Sequence, residues 1–201
     1  FVSNLIAVHP GLGVKTLSEL IELIRREPNK HNFAHGGSGT TQHLGGELFK
    51  SMAQLQMSGV AYRGEGPALN DAIAGHVPII FSSLATGIPI VQSGHLIVLA
   101  VTSKDRIPAL ANIPTVAEAA LPGYVATAWY ALLAPAGTPQ AIVEKLNAAA
   151  RKAMESPAMK KLLDQAGAIT APTTPGELGE FIKSEISRWK PIIEMSGAKV
   201  D

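Results

Sequence analysis

Apolar residues fall in short runs broken by glycine, proline and polar turns, and these runs alternate with longer stretches of helical periodicity. Residues 4–9 (NLIAVH) predict a buried strand, with Pro10 and Gly11 as a turn after it. Thr16 followed by Glu19 is a capping-box pattern, so a helix is expected over 16–26, stopping near Pro28. A second strand is predicted at 31–35 (HNFAH), then a loop GGSG, then a helix over 40–55 with Leu44, Leu48, Met52 and Leu55 on one apolar stripe. The unit repeats as VAY at 60–62, the loop RGEG, a helix opened by Pro67, and the buried strand VPIIF at 77–81. Residues 88–94 read as a short helix and HLIVLAV at 95–101 as a further buried strand. Strand, loop and helix in alternation predict an α/β fold with a mainly parallel sheet.

The pattern changes after residue 102. Pro108, Pro114 and Pro122 punctuate a connector holding one helical turn, capped by Thr115 and Glu118, and a boundary is expected near Tyr124. Beyond it ATAWYALLA predicts a strand. Three helices should follow, opened by Thr138 with Pro139, by Ser156 with Pro157, and by Thr174 with Pro175 and Glu177, the last ending near Gly197. The units expected are therefore residues 1–125 and 126–201, and no period repeats through the chain.

Composition narrows the functions available. With 46% apolar and 16% charged residues the chain is globular, and 17 basic against 16 acidic residues leave a net charge of +1. Such a balance provides no field for nucleic acid or an anionic membrane surface. Cysteine is absent, which excludes disulfides, thiolate metal sites and a cysteine nucleophile. The apolar stretch at 78–101 is interrupted by serines, glycines and Pro89, so it does not read as a membrane helix. The chain opens on Phe1 with no leader pattern, so any targeting segment is expected to have been removed or not included.

Candidate chemistry lies in the loops that follow strands. In His35, Gly36, Gly37, Ser38, Gly39, Thr40 and Thr41, the glycines let backbone N–H groups turn toward an anion at a helix's positive end, or simply make a tight turn. Tyr62, Arg63 and Gly64 stand in the equivalent place one unit later, and a parallel sheet brings such loops to one edge. Arg63 can pair with a carboxylate or remain a solvated surface cation. Ser82 and Ser83, after the strand ending at Phe81, are ligand donors or caps for the next segment. Of Trp129 and Tyr130, adjacent on a strand, one is expected in the core and the other facing a cleft. A charged His35 lining the site would raise anion affinity as pH falls through its titration.

Enzymatic readings find less. Gly36, Gly37, Ser38, Gly39 and Thr40 approach a nucleophile elbow, but Thr40 replaces its last glycine and no histidine lies on a later strand-end loop. His43 and Glu47 share a helix face without a further metal ligand, and no nucleotide-binding glycine motif occurs, so no cofactor is implied.

NFAHGGSGTTQHLGGELFKSMA at 32–53, AYRGEGPALNDAIAGHVPIIF at 61–81, LAVTSKDRIPALANIPTVAEAALPGY at 99–124 and AWYALLAPAGTP at 128–139 resemble the substrate-binding proteins of tripartite tricarboxylate transporters, the Bug-type receptors. With the EISRWKPIIEMSG helix, the resemblance extends over essentially the whole chain. It implies a bacterial periplasmic receptor of type II binding-protein architecture, two α/β lobes closing like a clamshell on a small organic acid, a di- or tricarboxylate or a related carboxylic acid, for integral-membrane transporter components. The carboxylate would be held by backbone N–H groups and hydroxyls of the glycine loops, with ordered water. Members commonly carry serine in place of His35 and Asp-Asn or similar in place of Ser82 and Ser83, differences that bear on ligand identity. Members also open with a strand and loop of the first lobe, roughly a third of the mature chain, that this sequence does not contain. Residues 126–201 would then be part of an incomplete first lobe with exposed apolar surface, and a homodimer, a swapped arrangement or a longer natural chain is expected. A non-transport interaction or signalling module is the alternative.

Overall fold

The computed structural model describes residues 1–165 and 167–198. Strand β1 (Val2–Val8) is apolar and fully buried from Leu5 onward, so both its faces need covering. It lies between β4 (Ile79–Ser83) and β5 (Ile97–Val101), and β2 (Asn32–His35) and β3 (Ser58–Ala61) complete the order β3-β2-β4-β1-β5. β2 runs parallel to β3 and β4, whereas β1 is antiparallel to both of its neighbours. The sheet is mainly parallel, with one reversed strand that periodicity does not reveal, because a strand buried on both faces reads the same in either direction.

Helices cover both faces. On one side α1 (Leu17–Arg26), α2 (Thr41–Ala53) and α5 (Val116–Ala119) pack on Ile6, Val8, Phe33, Ile79, Phe81 and Leu99. On the other, α3 (Glu65–Ile73) and α4 (Leu84–Gln92) pack on Leu5, Ala7, Ala34, Ile80 and Val98. The aromatic rings on the first side meet edge to face or tilted, with Phe33–Phe81 centroids at 5.2 Å and Phe49–Phe81 at 5.9 Å. Helix starts follow local chemistry: Thr16 with Glu19, Thr115 with Glu118 and Thr174 with Glu177 each close a reciprocal capping box.

Of the apolar stripe expected over 40–55 only Leu55, just past the end of α2, is buried. His43, Gly45, Gly46, Glu47, Phe49 and Ala53 are buried, while Met52 is exposed and Leu44 and Leu48 are half-buried. Glycine is the reason, since a Cβ at Gly46 would lie 2.2 Å from Phe33 Cε2. The missing side chain lets the helix lie directly on the ring, and close approach replaces leucine burial as the packing contact.

Strand β6 (Thr127–Ala128) pairs with the start of β1, Ser3 against Thr127 and Val2 against Ala128. The strand expected over 126–134 stops there, because past Ala128 no described strand lies alongside and residues 130–137 are exposed. Helices α6 (Gln140–Glu155), α7 (Pro157–Gln165) and α8 (Pro175–Ser196) follow. The buried hydrophobic set ends at Ala126; Leu132 and Leu133 stand 74% and 68% exposed. That is the apolar surface the resemblance leads one to expect.

A polar knot ties the chain where β1, β5 and β6 meet. Thr102 Oγ1 accepts from Asn4 N–H at 2.9 Å and donates to the Ala126 carbonyl at 2.6 Å. Thr102 N–H donates to Asn4 O at 2.9 Å, and Ala126 N–H to Thr102 O at 2.8 Å. Ser3, Asn4 and Thr102 are all buried, and every polar atom named here has a partner. No described helix is long and apolar enough to cross a membrane.

Candidate functional site

Because β2, β3 and β4 are parallel neighbours, the residues after His35, Ala61 and Ser83 emerge at one sheet edge, each leading into a helix N-terminus. Two backbone bonds lock the first two loops together: Tyr62 N–H donates to His35 O at 3.0 Å and Gly64 N–H to Gly36 O at 3.1 Å. Gly37 and Gly39, at φ 145° and 73°, occupy conformations that favour glycine, and they fold residues 36–39 back onto Thr40. Thr40 Oγ1 then donates to Gly37 O at 2.7 Å and accepts from His43 N–H at 3.3 Å, capping α2. Among the described residues the next amides, of Thr41 and Gln42, have no acceptor. They are the free positive end of the helix.

Two imidazoles support this loop from below. His35, 2% exposed, bonds Gly37 O through Nδ1 at 2.9 Å and stacks on His43 with ring centroids 4.4 Å apart. His43 Nδ1 accepts from Gly39 N–H at 3.2 Å. Burial first, and the neighbouring His43 second, lower the His35 pKa to about 4; burial likewise lowers that of His43. The titration through which anion affinity is expected to rise is thereby moved below the ordinary imidazole range, to about 4. His35 and His43 act on the loop's shape.

Ser82 and Ser83 are the last residues of β4, not a loop after it, since the strand's pairing with β1 runs on to Ser83. Their donors converge on Glu65 at the start of α3. Ser82 Oγ donates to Glu65 Oε1 at 2.6 Å, Ser83 Oγ to Oε2 at 3.0 Å, and Ser83 N–H to Oε1. Arg63, two positions before Glu65, is exposed and pairs with no described carboxylate. Tyr62 donates to Asp71 at 2.6 Å, and burial together with that carboxylate pushes its phenol up to about 12.

A cleft of 590 Å³ opens between the α2 N-terminus and the C-terminal segment. Gly39, Thr40 and Thr41 form one wall; Trp129, Glu185 and Trp189 stand on the other. Trp129 rests edge-on against Phe181 at 5.4 Å, and Tyr130 beside it is 81% exposed, so neither of the pair lies in the core. The strand that would have alternated them ends at Ala128. Glu185 arranges the far wall, accepting from Trp189 Nε1 at 3.0 Å and pairing with Arg188 at 2.9 Å, while Arg188 lies 4.9 Å over the Trp189 ring.

The fold thus brings the amides and hydroxyls of residues 39–41 to the cleft with Trp129, and sets Tyr62, Gly64, Ser82 and Ser83 along the same sheet edge. Ser38 is exposed and its hydroxyl bonds no described residue, so no histidine base stands against it. Among the described residues no three His, Asp or Glu side chains gather as metal ligands. Trp189 and Glu65 are the residues sequence reasoning passed over. Trp189 offered a signal, as the other of only two tryptophans in the chain; Glu65 stood within the loop RGEG, where its partners on β4 are not visible from sequence.

Comparison with known proteins follows the same outline. Residues 2–198 match the family described as "Tripartite tricarboxylate transporter family receptor". The chain is 38% identical over 180 residues to the "UPF0065 protein in tcbD-tcbE intergenic region" of Pseudomonas sp. (strain P51), covering 89% of this chain and 54% of that protein. It is 32% identical over 199 residues to "Protein BugT" of Bordetella pertussis, covering 99% and 61%. Among solved structures, Rhodopseudomonas palustris Rpa4515 with adipate superposes at TM-score 0.84 with 33% identity, covering 98% of this chain and 66% of that one. MatC (Rpa3494) of the same organism with bound malate gives TM-score 0.77 at 29% identity, covering 96% and 66%. The chain therefore spans 54–61% of these curated relatives and 66% of these structures.

Proposed function

We propose that this chain, which belongs to the tripartite tricarboxylate transporter receptor family, captures a small carboxylate in the cleft between the α2 N-terminus and the two tryptophans, and presents it to membrane-embedded transporter components. The observation that carries this reading is the pair of acceptor-free amides, Thr41 and Gln42, lining a cleft whose opposite wall is aromatic. A carboxylate fits that end because the helix's positive pole and free N–H groups favour an anion, while Trp129 and Trp189 cover an apolar body. Adipate and malate bound to the two structural relatives support the same ligand class.

On this reading residues 1–125 are one α/β lobe and residues 126–201 belong to the other. His35, Gly37, Ser38, Gly39, Thr40 and Thr41 shape the primary anion site; Tyr62, Arg63, Gly64, Ser82 and Ser83 form its flank, and Trp129 its lid. Capture followed by release places the protein outside the cytoplasmic membrane, without catalysis. The exposed apolar face around Leu132 and Leu133 supports completion of the first lobe by a homodimer or by a longer chain.

Thermal denaturation against a panel of carboxylates, read with tryptophan fluorescence, tests the reading. A ligand that binds only the folded state raises its melting temperature, and both tryptophans line the cleft, so one acid should raise the melting temperature and shift the emission together. A cooperative transition unmoved by every acid would favour the interaction-module alternative.

A further inference from the structure

The carboxyl edge of the sheet already holds one carboxylate. Glu65 takes three donors, two hydroxyls and one amide, from Ser82 and Ser83, and Ser82 is 0% exposed. A set composed only of donors suits the ionised form. Among the described residues Glu65 forms no ion pair, so no cation in contact with it cancels the charge. Glu65 also abuts the anion loop: a Cβ on Gly36 would lie 3.3 Å from Glu65 N.

We infer that Glu65 is a charge filter: seated on Ser82 and Ser83, it bars a second ligand carboxylate from this flank, so the chain selects acids with one carboxylate and a neutral or hydrogen-bond-donating far end. The inference rests on the carboxylate-receptor reading and narrows it. Two features keep Glu65 in place. It is tethered in the chain, so a free ligand carboxylate competes against a high effective concentration, and leaving would take from buried Ser82 Oγ its 2.6 Å acceptor, with only the 3.4 Å contacts to Ser83 O and Thr86 Oγ1 remaining. A diacid reaching this edge meets a fixed negative charge with its donors already engaged. That repulsion weakens as salt is added.

Titration calorimetry with acids matched in length, hexanoate against adipate and butyrate against succinate, tests this on the wild type and on Glu65→Gln, Glu65→Asp and Glu65→Ala. The expected result is a preference of the wild type for the monoacid by about tenfold or more, kept in Glu65→Asp and largely lost in Glu65→Gln through tighter diacid binding. Added salt should tighten the wild type's diacid binding and not its monoacid binding, a readout that needs no variant. A wild type that binds diacids as tightly as monoacids overturns the inference, as does a Glu65→Ala that tightens both acids equally, since that marks a displaceable plug. If no acid binds to any form, the receptor reading itself fails and the filter with it; selective monoacid binding untouched by Glu65→Gln overturns the filter alone.

Discussion

Replacing Thr102 by valine removes one buried hydroxyl and almost no volume, which makes it a clean probe of the knot between β1, β5 and β6. Thr102 Oγ1 accepts from Asn4 N–H at 2.9 Å and donates to Ala126 O at 2.6 Å, at a residue 0% exposed. In Thr102→Val the Asn4 amide is left buried without an acceptor, and Ala126 O keeps only the long contact to Asn4 Nδ2 at 3.5 Å. An orphaned buried donor costs about 1–3 kcal/mol and a poorly bonded carbonyl about 1 more, so a loss of about 2–4 kcal/mol is expected. For a chain of this size that corresponds to a fall of about 4–16 °C in Tm. Thr102→Ser keeps the hydroxyl and sheds one methyl, costing about 1 kcal/mol. Calorimetric or urea unfolding of the two variants compares the terms directly. If Thr102→Val is no less stable than Thr102→Ser, the hydroxyl does not hold these segments and the argument from its hydrogen bonds is wrong.

Two further outcomes follow from packing and titration. Gly46→Ala should destabilise by about 1–3 kcal/mol because the new methyl meets Phe33 at 2.2 Å, and pairing it with Phe33→Leu should recover part of that loss; additive costs in the double variant would show that the contact is not shared. Because the fold holds His35 neutral down to about 4 while the unfolded chain takes up its proton near 6.5, the unfolded state binds more protons between those values. Stability should therefore be lost as pH falls through that window and be flat above it. Urea midpoints for the wild type and His35→Asn from pH 7.5 to 4.5 measure this, the variant showing the shallower slope, and equal slopes would remove His35 from the account.

The elements legible in the sequence are those whose cause is local. A threonine with glutamate three residues on is a complete instruction for a helix start, and all three such patterns are helix starts in the fold. The loops at 35–41 and 62–66 could be placed at one edge because strand–loop–helix repetition implies a parallel sheet. What escaped depends on partners distant in sequence. The reversed direction of β1 is decided by β4 and β5, and the early end of β6 by the lack of a neighbour beyond Ala128. The buried face of α2 is decided by Phe33 fitting against Gly46, which no count of apolar residues reports. At the site, the glycine loop announced itself through composition, whereas the partnership of Glu65 with Ser82 and Ser83 exists only once α3 and β4 lie side by side.

The reversed strand has a mechanical consequence. Residues 5–8 of β1 are held by ladders on both sides and Asn4 and Ala126 by the Thr102 knot, so any swing of the C-terminal helices would be taken up at residues 2–3 and 127–129. These two short, side-by-side straps lie beside the sheet edge that carries the loop of residues 36–39. Groups near a pivot travel little while distant ones sweep far. A rotation at these straps would therefore move the walls around the loop less than the outer ends of α6 and α7.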